Sequence, residues 1–454
     1  MRTEPLTNRA LKCLSRTLFL WIVATSLRTS AGLDASEWPT WRGAKRDAIC
    51  SETGLLNAWP EEGPPLLWKV RGLGEGFSSL AVSGKRLFTL GVGAPAETPD
   101  KEGREEQDED DGTAFLVARG LDDGKPLWST RVGPGKPNGT PTVSDGRVYA
   151  LGREGDLVCV EEDTGKEVWR KNFAKDFGGK MMSGWGYSES PLVDGDWLLC
   201  TPGGKDALVV ALDARTGAVV WKAASPEIGD AGSDGAGYSS VVVSEACGVR
   251  QYVQLTGRGV VSFRAKDGAF LWGYNRVAND VANIPTPVVR GDHVFCSTGY
   301  GTGAALLRIV PASEAGVDGT PALRAEEVYF LKGKTMQNHH GGMVLIDKYL
   351  YCGHGNNKGF PLCVELETGD IAWRPGRGPG EGSAAVLFAD GHLYFRYQDG
   401  LMALIEADPT EYRLKGTFRI ASDLGESWPH PVISNGRLFL RDQDALLCYD
   451  IRLH

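Results

Sequence analysis

The sequence is poor in the features that mark nucleophilic hydrolases, zinc enzymes and membrane-spanning proteins. It contains no GxSxG motif, no HExxH pair, no CxxC pair and no two adjacent cysteines. The usual signals for a nucleophile, a zinc centre or a redox disulfide are therefore missing. After residue 35 no apolar run reaches the roughly 20 residues that cross a bilayer, so no transmembrane span is predicted for the mature chain. A helical period of apolar residues is also missing almost everywhere, which excludes a helical bundle.

Positive charge is in deficit as well. The chain carries 49 lysines and arginines against 58 aspartates and glutamates, a net charge of −9. Residues 1–31 alone hold five basic residues and one acidic residue, so the rest of the chain has a net charge of about −13. Because an acidic surface repels polyphosphates, no nucleic acid partner is predicted.

The first 35 residues resemble an export signal. Arg2, Arg9, Lys12 and Arg16 form a basic region, and residues 18–27 (LFLWIVATSL) form an apolar stretch of ten residues. That stretch is too short to span a bilayer but has the length of a signal-peptide core. We therefore predict a signal peptide over residues 1–35 and a location in the periplasm or cell envelope, with an uncleaved anchor as the alternative.

Eight cysteines remain after the signal, and most lie inside apolar runs such as WLLCT and LLCYD. Export would permit disulfides. Their positions inside strand-like runs favour the interpretation that they are buried small hydrophobic residues, with a disulfide framework as the alternative.

What the sequence does contain is a short motif in five copies, rich in turn residues and ending in tryptophan. The copies are RGLDDGKPLW (119–128), VEEDTGKEVW (160–169), ALDARTGAVVW (211–221), FRAKDGAFLW (263–272) and VELETGDIAW (364–373). Around one copy, residues 190–221 read as four short apolar runs separated by glycine turns, which predicts four antiparallel strands. Glycine (60) and proline (24) are abundant, as this pattern requires.

The same four-strand unit recurs eight times, with Phe330 and Phe418 replacing the tryptophan in two copies. Spacings of 41 to 60 residues fit one propeller blade each. The last unit stops after its third strand, and residues 66–70 (LLWKV) form an isolated fourth strand near the start. We therefore predict an all-β fold, an eight-bladed β-propeller of four-stranded antiparallel blades, closed by the N-terminal strand completing the last blade.

Two segments do not follow this repeat. Residues 36–62 precede the ring and are predicted to pack on its outside or on one face, as an N-terminal extension of the propeller at 63–454. Residues 97–112 hold nine acidic and two basic residues and are predicted to be a solvated loop insertion in the first blade. Their spacing does not match a calcium loop.

The repeated A-x-D-x-x-T-G-x-x-x-W resembles the tryptophan-docking motif of quinoprotein (PQQ) dehydrogenases and of the outer-membrane assembly lipoprotein BamB, both eight-bladed propellers. The whole mature chain is similar to a group of exported bacterial PQQ-like β-propeller proteins. That group shares the opening W-P-x-W-R-G, here residues 38–43, and blocks such as WGYSESPL (185–192), ANIPTPVV (282–289), NHHGGMVL (338–345) and SAAVLFADGHLYFRYQDG (383–400).

The resemblance raises the question of a quinone cofactor. In the dehydrogenases PQQ lies on the ring axis between a tryptophan and a disulfide of adjacent cysteines, Ca²⁺ is held by Glu and Asn, and an Asp serves as base. This sequence lacks the adjacent cysteines. Glu189 and Asn283 are the residues that could be calcium ligands, but no motif joins them to an Asp. No cofactor is therefore predicted, and PQQ with Ca²⁺ is the alternative.

A site is predicted where the repeats differ, at the segments that lead into each innermost strand. In a propeller these segments converge on one mouth of the central channel, and here they are rich in aromatic residues, Ser, Asn and His. Such a pocket suits a small polar or sugar-like ligand. The predicted ligand-binding residues are Trp185, Tyr187, Ser188, Glu189, Tyr238, Ser239, Asn283, Thr286, Asn338, His339, His340, Ser383, Trp428 and His430.

Each of these residues also has a structural interpretation. Ser and Thr can cap backbone near the axis, and paired His can bond carbonyls. As metal ligands, His339, His340 and His354 are weak candidates, because neighbouring side chains on a strand point to opposite faces. The sequence thus favours a monomeric binding or scaffold protein of the cell envelope, with a small polar ligand or an envelope protein at the axial mouth. The alternative is an enzyme, either PQQ-dependent or histidine–metal-dependent.

Overall fold

The computed structural model describes residues 37–93, 112–312, 322–422, 425 and 427–454. The predicted signal peptide and all of the predicted acidic loop except Gly112 lie outside the described residues. Within the described ranges the only α-helix is α1 (Phe173–Phe177), and a short 3₁₀ turn spans Ala246–Gly248. In this part of the chain no helix has the length and apolar character that crossing a membrane would need.

Nearly all regular structure is β-strand. The described strands are β1 (Ile49–Cys50), β2 (Leu66–Val70), β3 (Ala81–Ser83), β4 (Arg86–Val92), β5 (Thr113–Gly120), β6 (Pro126–Pro134), β7 (Thr142–Ser144), β8 (Arg147–Leu151), β9 (Asp156–Glu161), β10 (Glu167–Asn172), β11 (Leu192–Asp194), β12 (Trp197–Cys200), β13 (Val209–Asp213), β14 (Val219–Ala223), β15 (Val242–Ser244), β16 (Gln251–Thr256), β17 (Gly259–Arg264), β18 (Phe270–Tyr274), β19 (Val288–Arg290), β20 (His293–Thr298), β21 (Gly303–Pro311), β22 (Leu323–Lys332), β23 (Asn338–Ile346), β24 (Tyr349–His354), β25 (Phe360–Glu365), β26 (Ile371–Trp373), β27 (Ala384–Ala389), β28 (His392–Tyr397), β29 (Leu401–Glu406), β30 (Leu414–Arg419), β31 (Val432–Ser434), β32 (Arg437–Asp442) and β33 (Ala445–Asp450).

These strands form eight antiparallel sheets, the blades of a propeller. Blades 1 to 7 are β3–β6, β7–β10, β11–β14, β15–β18, β19–β22, β23–β26 and β27–β30, each in chain order. The first strands of neighbouring blades contact one another, for example β3 with β7 and β19 with β23. The first strand of each blade is therefore the innermost one, and the eight-bladed propeller predicted from the repeat is confirmed.

The ring closes as the sequence predicts. Blade 8 has the order β2-β33-β32-β31, so its outer strand comes from the N-terminal side of the chain and its other strands from the C-terminal end. Leu66 pairs with Tyr449 and Trp68 with Cys448. Opening the ring would break these main-chain hydrogen bonds and expose two sheet edges, which is the liability that closure removes.

The docking motif builds the joint between blades. The Asp213 carboxylate accepts hydrogen bonds from the backbone N–H of Thr216 at 2.8 Å and from its hydroxyl at 2.8 Å, which fixes the turn before β14. Trp221, in the middle of β14, donates its indole N–H to the Ala265 carbonyl in blade 4 at 3.1 Å. Trp128, Trp169 and Trp373 bond a main-chain carbonyl of the next blade in the same way, whereas Trp272 donates to the Gln251 side chain of its own blade.

Gly268 shows why this turn ends in glycine. Its φ is +72°, and a Cβ at this position would lie 2.5 Å from the Trp221 ring. Glycine alone satisfies both the left-handed backbone and the close approach of the aromatic ring. The glycine of one copy of the motif thus makes room for the tryptophan of the preceding copy, so the motif has a packing role.

The described cysteines are all free, and seven of the eight are buried: Cys50, Cys159, Cys200, Cys296, Cys352, Cys363 and Cys448. Burial raises the pKa of the Cys159 and Cys363 thiols to about 12. They are inert small hydrophobic residues, and this interpretation of the sequence is confirmed for the described chain.

The residues before the first blade divide into two parts. Trp59 packs on the outside of the ring, where its N–H donates to the Lys415 carbonyl of the outer strand β30 at 3.0 Å. Residues 38–52, which we call the axial segment, lie inside the ring instead. Trp38 bridges to Val82 in blade 1, and β1 pairs in parallel with the inner strand β27 of blade 7. The Glu52 carboxylate accepts hydrogen bonds from the Asn435 and Gly436 N–H groups in blade 8 at 2.7 and 2.6 Å. The sequence did not indicate this position within the ring.

Two arginines of the axial segment extend these contacts to other blades. Arg46 donates to the Ser190 carbonyl at 2.7 Å in blade 3 and to the Val241 carbonyl at 2.9 Å in blade 4. Arg42 donates to the Met343 carbonyl in blade 6. With Thr40 bonded to Thr142 of blade 2 at 2.8 Å, the segment touches seven of the eight blades.

Candidate functional site

A cavity of about 720 Å³ opens at one mouth of the ring. It lies where the segments before the inner strands converge, and six of the eight blades supply at least one such residue. Blade 6 contributes His339, His340 and Gly342 from the start of its inner strand β23. Blade 7 contributes Gln398 from another loop instead. The Trp41 ring of the axial segment also lines it. Because the axial segment contacts the inner strands beyond these positions, it closes the far side and gives the cavity a floor.

Eight of the predicted ligand-binding residues line this cavity. Trp185 is 58% exposed, whereas Tyr238 and His430 are largely buried in the wall. The full set of predicted residues on the lining is Trp185, Ser188, Tyr238, Thr286, His339, His340, Trp428 and His430. The repeat phase that suggested a common mouth thus brings together residues as far apart as Trp185 and His430.

The other six lie behind the lining, where the structure gives them bonds to the wall. Tyr187 donates its hydroxyl to the Pro202 carbonyl at 2.8 Å. The Asn283 amide donates to the Thr256 and Gly257 carbonyls at 3.0 Å each. The residues in this position are Tyr187, Glu189, Ser239, Asn283, Asn338 and Ser383. They hold the backbone that carries the cavity rather than facing its interior.

Glu189 is a buried carboxyl group with neutral partners. Its oxygens accept hydrogen bonds from the Thr201 N–H at 2.6 Å, the Thr201 hydroxyl at 2.9 Å and the Gln254 amide at 3.3 Å. Burial raises its pKa to about 7, although the Thr201 bonds and the Arg46 charge act in the opposite direction. At neutral pH the group is therefore divided between its protonated and ionised forms.

His339 and His340 are adjacent neutral imidazoles. Burial lowers the pKa of His339 to about 4 and that of His340 well below the usual value. Both ring nitrogens of His339 are engaged, Nδ1 with the Ser383 hydroxyl at 2.8 Å and Nε2 with the Tyr300 hydroxyl at 3.0 Å. The two rings lie 4.1 Å apart.

His354, the third weak metal candidate, does not line the cavity, and its Nδ1 accepts the Gln337 N–H at 3.2 Å. The three candidate metal ligands are therefore not brought together. Across the described ranges, no group of three His, Cys, Asp or Glu residues has a geometry that could hold a metal ion.

The free energy of unfolding is expected to change with pH through groups that act in opposite directions, the buried histidines His339, His340 and His430 on one side and Glu189 on the other. Burial lowers the pKa of His430 to about 3, so between that value and 6.5 an unfolded histidine binds a proton that the folded one does not, and stability falls as the pH falls. Glu189 changes the free energy of unfolding in the opposite direction. Between 4.5 and about 7 its folded carboxyl keeps a proton that the unfolded state releases, so it favours folding as the pH falls.

Glu189→Gln is therefore expected to steepen the loss of stability between about pH 6.5 and 4.5, by roughly 1–3 kcal/mol over that window. Urea denaturation at closely spaced pH values measures this slope. The exposed Glu61→Gln serves as the matched control and should leave the slope unchanged. Parallel curves for the Glu189 variant and the wild type would show that the buried carboxyl does not titrate as described.

Several lining residues were not predicted from the sequence. Arg153, Tyr300, Asn356, Asn357 and Gln398 all follow the second strand of a blade and precede the third. In an antiparallel blade this connection lies at the same end as the segment entering the first strand. The repeat therefore contains the signal for these residues, because it also locates the loops between the second and third strands of each blade at this mouth.

The cavity does not fit the calcium–PQQ arrangement that the resemblance implies. Of the described lining residues none is Asp or Glu, so the cavity offers no carboxylate to a calcium ion. Glu189 and Asn283, the two possible ligands, lie behind the lining with their polar atoms bonded to the Thr201 and Thr256 main chain, among others. We therefore derive no chemistry through that cofactor.

Comparison with known proteins places these features in context. Residues 111–375, more than half of the chain, match the profile of a family described as outer membrane protein assembly factor BamB. The Escherichia coli K12 protein of that name is 32% identical over 103 residues, covering 21% of this chain and 25% of the relative. The Shewanella oneidensis protein is 27% identical over 184 residues, covering 36% and 38%. The matches thus span about a quarter to two fifths of these curated relatives.

Solved structures share the fold at low sequence identity. BamB from Moraxella catarrhalis superposes with a TM-score of 0.58 at 12% identity, over 86% of this chain and 98% of that one. Quinohemoprotein alcohol dehydrogenase from Comamonas testosteroni has a TM-score of 0.60 at 12% identity, over 92% and 80%. The Pseudomonas putida HK5 enzyme has a TM-score of 0.61 at 13% identity, over 93% and 81%. At these identities the likeness concerns the propeller alone.

Proposed function

The chain belongs to the family described as outer membrane protein assembly factor BamB, and on that premise we propose that it is a binding or scaffold protein of the cell envelope. In this proposal a small polar ligand, or a short segment of an envelope protein, occupies the axial mouth. The observation that carries it is the cavity of about 720 Å³ that is open at one end and floored by the axial segment. That volume lies in the range of ordinary ligand pockets.

The lining supports binding through flat faces combined with a few polar groups. Phe77 and Trp428 lie with ring centroids 4.4 Å apart on one wall, while Trp185 stands at the rim. Aromatic faces of this kind supply contact area with little loss of side-chain freedom. Hydroxyl and amide groups from other blades can then orient a ligand.

The same residues give little support for an enzyme. A general base needs a free lone pair within hydrogen-bond reach of the substrate. Both nitrogens of His339 are already bonded, and Glu189 lies behind the wall with its oxygens occupied. The Nδ1 atom of His430 has no hydrogen-bond partner, but burial lowers the pKa of this histidine to about 3, which makes it a weak base. Binding is therefore the proposed activity, and catalysis is the alternative that turnover of a bound probe would reveal.

Location and assembly are part of the same proposal. The basic and apolar residues at the N-terminus favour export, and the relatives are named for outer membrane protein assembly. We propose a location in the periplasm or cell envelope. A monomer is proposed because the ring closes within one chain through β2 and β33.

The proposal predicts that Trp185→Ala and His339→Ala each abolish ligand uptake at the mouth. The measurement is the shift in melting temperature with methyl glucoside, glucuronate, benzoate and PQQ as probes, followed by calorimetry on any probe that binds. Trp185 is 58% exposed, so its removal should leave the circular dichroism spectrum and melting temperature of the free protein unchanged.

Val281→Ala is the matched control, because Val281 is an exposed apolar residue outside the lining. Probe binding that survives both site variants would place the ligand elsewhere and contradict the proposal. Turnover of any probe would instead favour the enzymatic alternative.

A further inference from the structure

Four arginines are buried around the ring axis: Arg42, Arg46, Arg396 and Arg441. Burial lowers the pKa of Arg42, Arg46 and Arg396 only to about 10 and that of Arg441 to about 9. All four guanidinium groups therefore keep their charge at neutral pH. Buried charges in proteins are usually paired with an opposite charge.

These arginines are held by uncharged oxygen atoms instead. Arg46 donates to the Ser190, Pro191 and Val241 carbonyls at 2.5 to 2.9 Å. The other three are bonded in the same way, Arg42 to the Met343 carbonyl, Arg396 to the Pro429 carbonyl at 2.9 Å and Arg441 to the Ser78 carbonyl at 3.1 Å. Ser190 and Pro429 themselves line the cavity, so the charges lie directly behind its wall.

Arg42, Arg46 and Arg441 form no ion pair with a described carboxylate. Acidic groups nearby attract the arginines: Asp47 attracts Arg42, Glu189 attracts Arg46, Asp442 attracts Arg396 and Asp444 attracts Arg441. Of these, Glu189 has a pKa of about 7 and is only partly ionised at neutral pH. The positive charge around the axis is therefore incompletely compensated from within the protein.

The cavity adds no negative charge of its own. Its described lining contains no Asp or Glu, and its single charged side chain is Arg153, which pairs with Glu154 at 3.4 Å. Arg42 also lies close to the floor, because a Cβ at the lining residue Gly342 would be 3.7 Å from its guanidinium carbon. With no acidic side chain on the lining, the buried arginines behind the wall favour a negatively charged ligand over a neutral one.

We propose that the axial mouth selects an organic anion, a carboxylate carried on a ring. This rests on the proposed function, since it names the ligand class of the same site. The carboxylate would compensate the charge of the buried arginines, while the ring packs against the aromatic walls formed by Trp41, Phe77 and Trp428. An aromatic acid and a sugar acid share this chemistry.

The test compares each anion with its uncharged counterpart by isothermal titration calorimetry on the full folded chain. The pairs are benzoate with benzamide and glucuronate with methyl glucoside, which separates the aromatic source from the sugar source. At least one carboxylate is expected to bind about tenfold or more tightly than its neutral counterpart, and to lose affinity when the salt concentration is raised from 0.05 to 0.5 M.

Asn356→Asp sharpens the comparison. Asn356 lines the mouth, and its side-chain oxygen accepts the Tyr300 N–H at 3.0 Å, a bond that an aspartate can keep. The variant adds one negative charge with almost no change of shape. The affinity for the preferred carboxylate should fall about fivefold or more, and by a clearly larger factor than the affinity for its neutral counterpart.

Equal or tighter binding of the neutral members, lost in Trp185→Ala, would overturn the anion inference while leaving the proposed site intact. Failure of all four probes to bind would also overturn the inference. The two failures are distinguishable, because the first keeps a Trp185-dependent ligand at the mouth.

Discussion

Arg46→Ala is expected to lower the free energy of unfolding by roughly 3–5 kcal/mol, because it removes a buried donor shared by two blades and the axial segment. The guanidinium group bonds the Ser190 and Pro191 carbonyls of blade 3, the Val241 carbonyl of blade 4 and the Thr40 hydroxyl of the axial segment. Alanine leaves these acceptors buried without that donor, and it opens a void next to Glu189. Chemical denaturation followed by fluorescence measures the loss.

Arg170→Ala is the matched control. That arginine also donates to two main-chain carbonyls, those of Arg131 and Val132, but it lies on the outer surface beside Glu167. Because water can replace its bonds, the variant should cost about 1 kcal/mol or less. Arg46→Lys should fall between the two, since an ammonium group cannot span the same carbonyls. Equal losses at Arg46 and Arg170 would mean that the axial segment does not join the blades.

The propeller could be predicted from sequence because its information is local and repeated. The residues of each motif determine the turn locally. In one copy Asp213 fixes the turn, Gly217 takes φ = +71° and Trp221 reaches the next blade. Five copies give the unit, and the missing fourth strand of the last unit required residues 66–70. The one long-range contact, between residues 66–70 and the last unit, followed from counting strands in the repeat.

The axial segment could not be predicted in this way. It occurs once, and its contacts join residues far apart in the chain, such as Arg42 with Met343 and Ile49 with Phe388. A single arginine in a sequence does not indicate which carbonyls it will bind. The floor of the cavity, including Trp41, therefore became apparent only in the structure.

The candidate site was partly predictable for the same reason. The repeat phase located Trp185, Tyr238 and His339 at one mouth, because equivalent positions in a closed ring face the same end. It could not separate Ser188, which lines the cavity, from its neighbour Glu189, which lies behind it. Neighbouring residues on an extended backbone alternate between two faces, and the exact register decides which one is exposed.

Trp221→Ala is expected to cost about 3–5 kcal/mol of unfolding free energy, the usual range for removing a buried tryptophan. Trp221 is 8% exposed, packs against the Gly268 turn and bonds the Ala265 carbonyl. The substitution would leave a cavity at the joint of blades 3 and 4 and an unpaired carbonyl. Equilibrium denaturation in guanidinium chloride measures the effect, and the loss should be similar for Trp169 and Trp373, which bond the next blade in the same way, if each joint carries a comparable share.

Two companion variants separate packing from hydrogen bonding. Trp221→Phe keeps most of the aromatic volume and removes the bond to Ala265, so we expect a loss of roughly 1–2 kcal/mol. Val220→Ala lies on the same strand with its side chain 44% exposed and should change stability by less than about 0.5 kcal/mol. A Trp221→Ala variant as stable as Val220→Ala would show that the repeated tryptophan does not hold the blades together. Its recurrence would then need a role outside packing, because a residue that contributes no stability at five joints has no structural reason to occupy them.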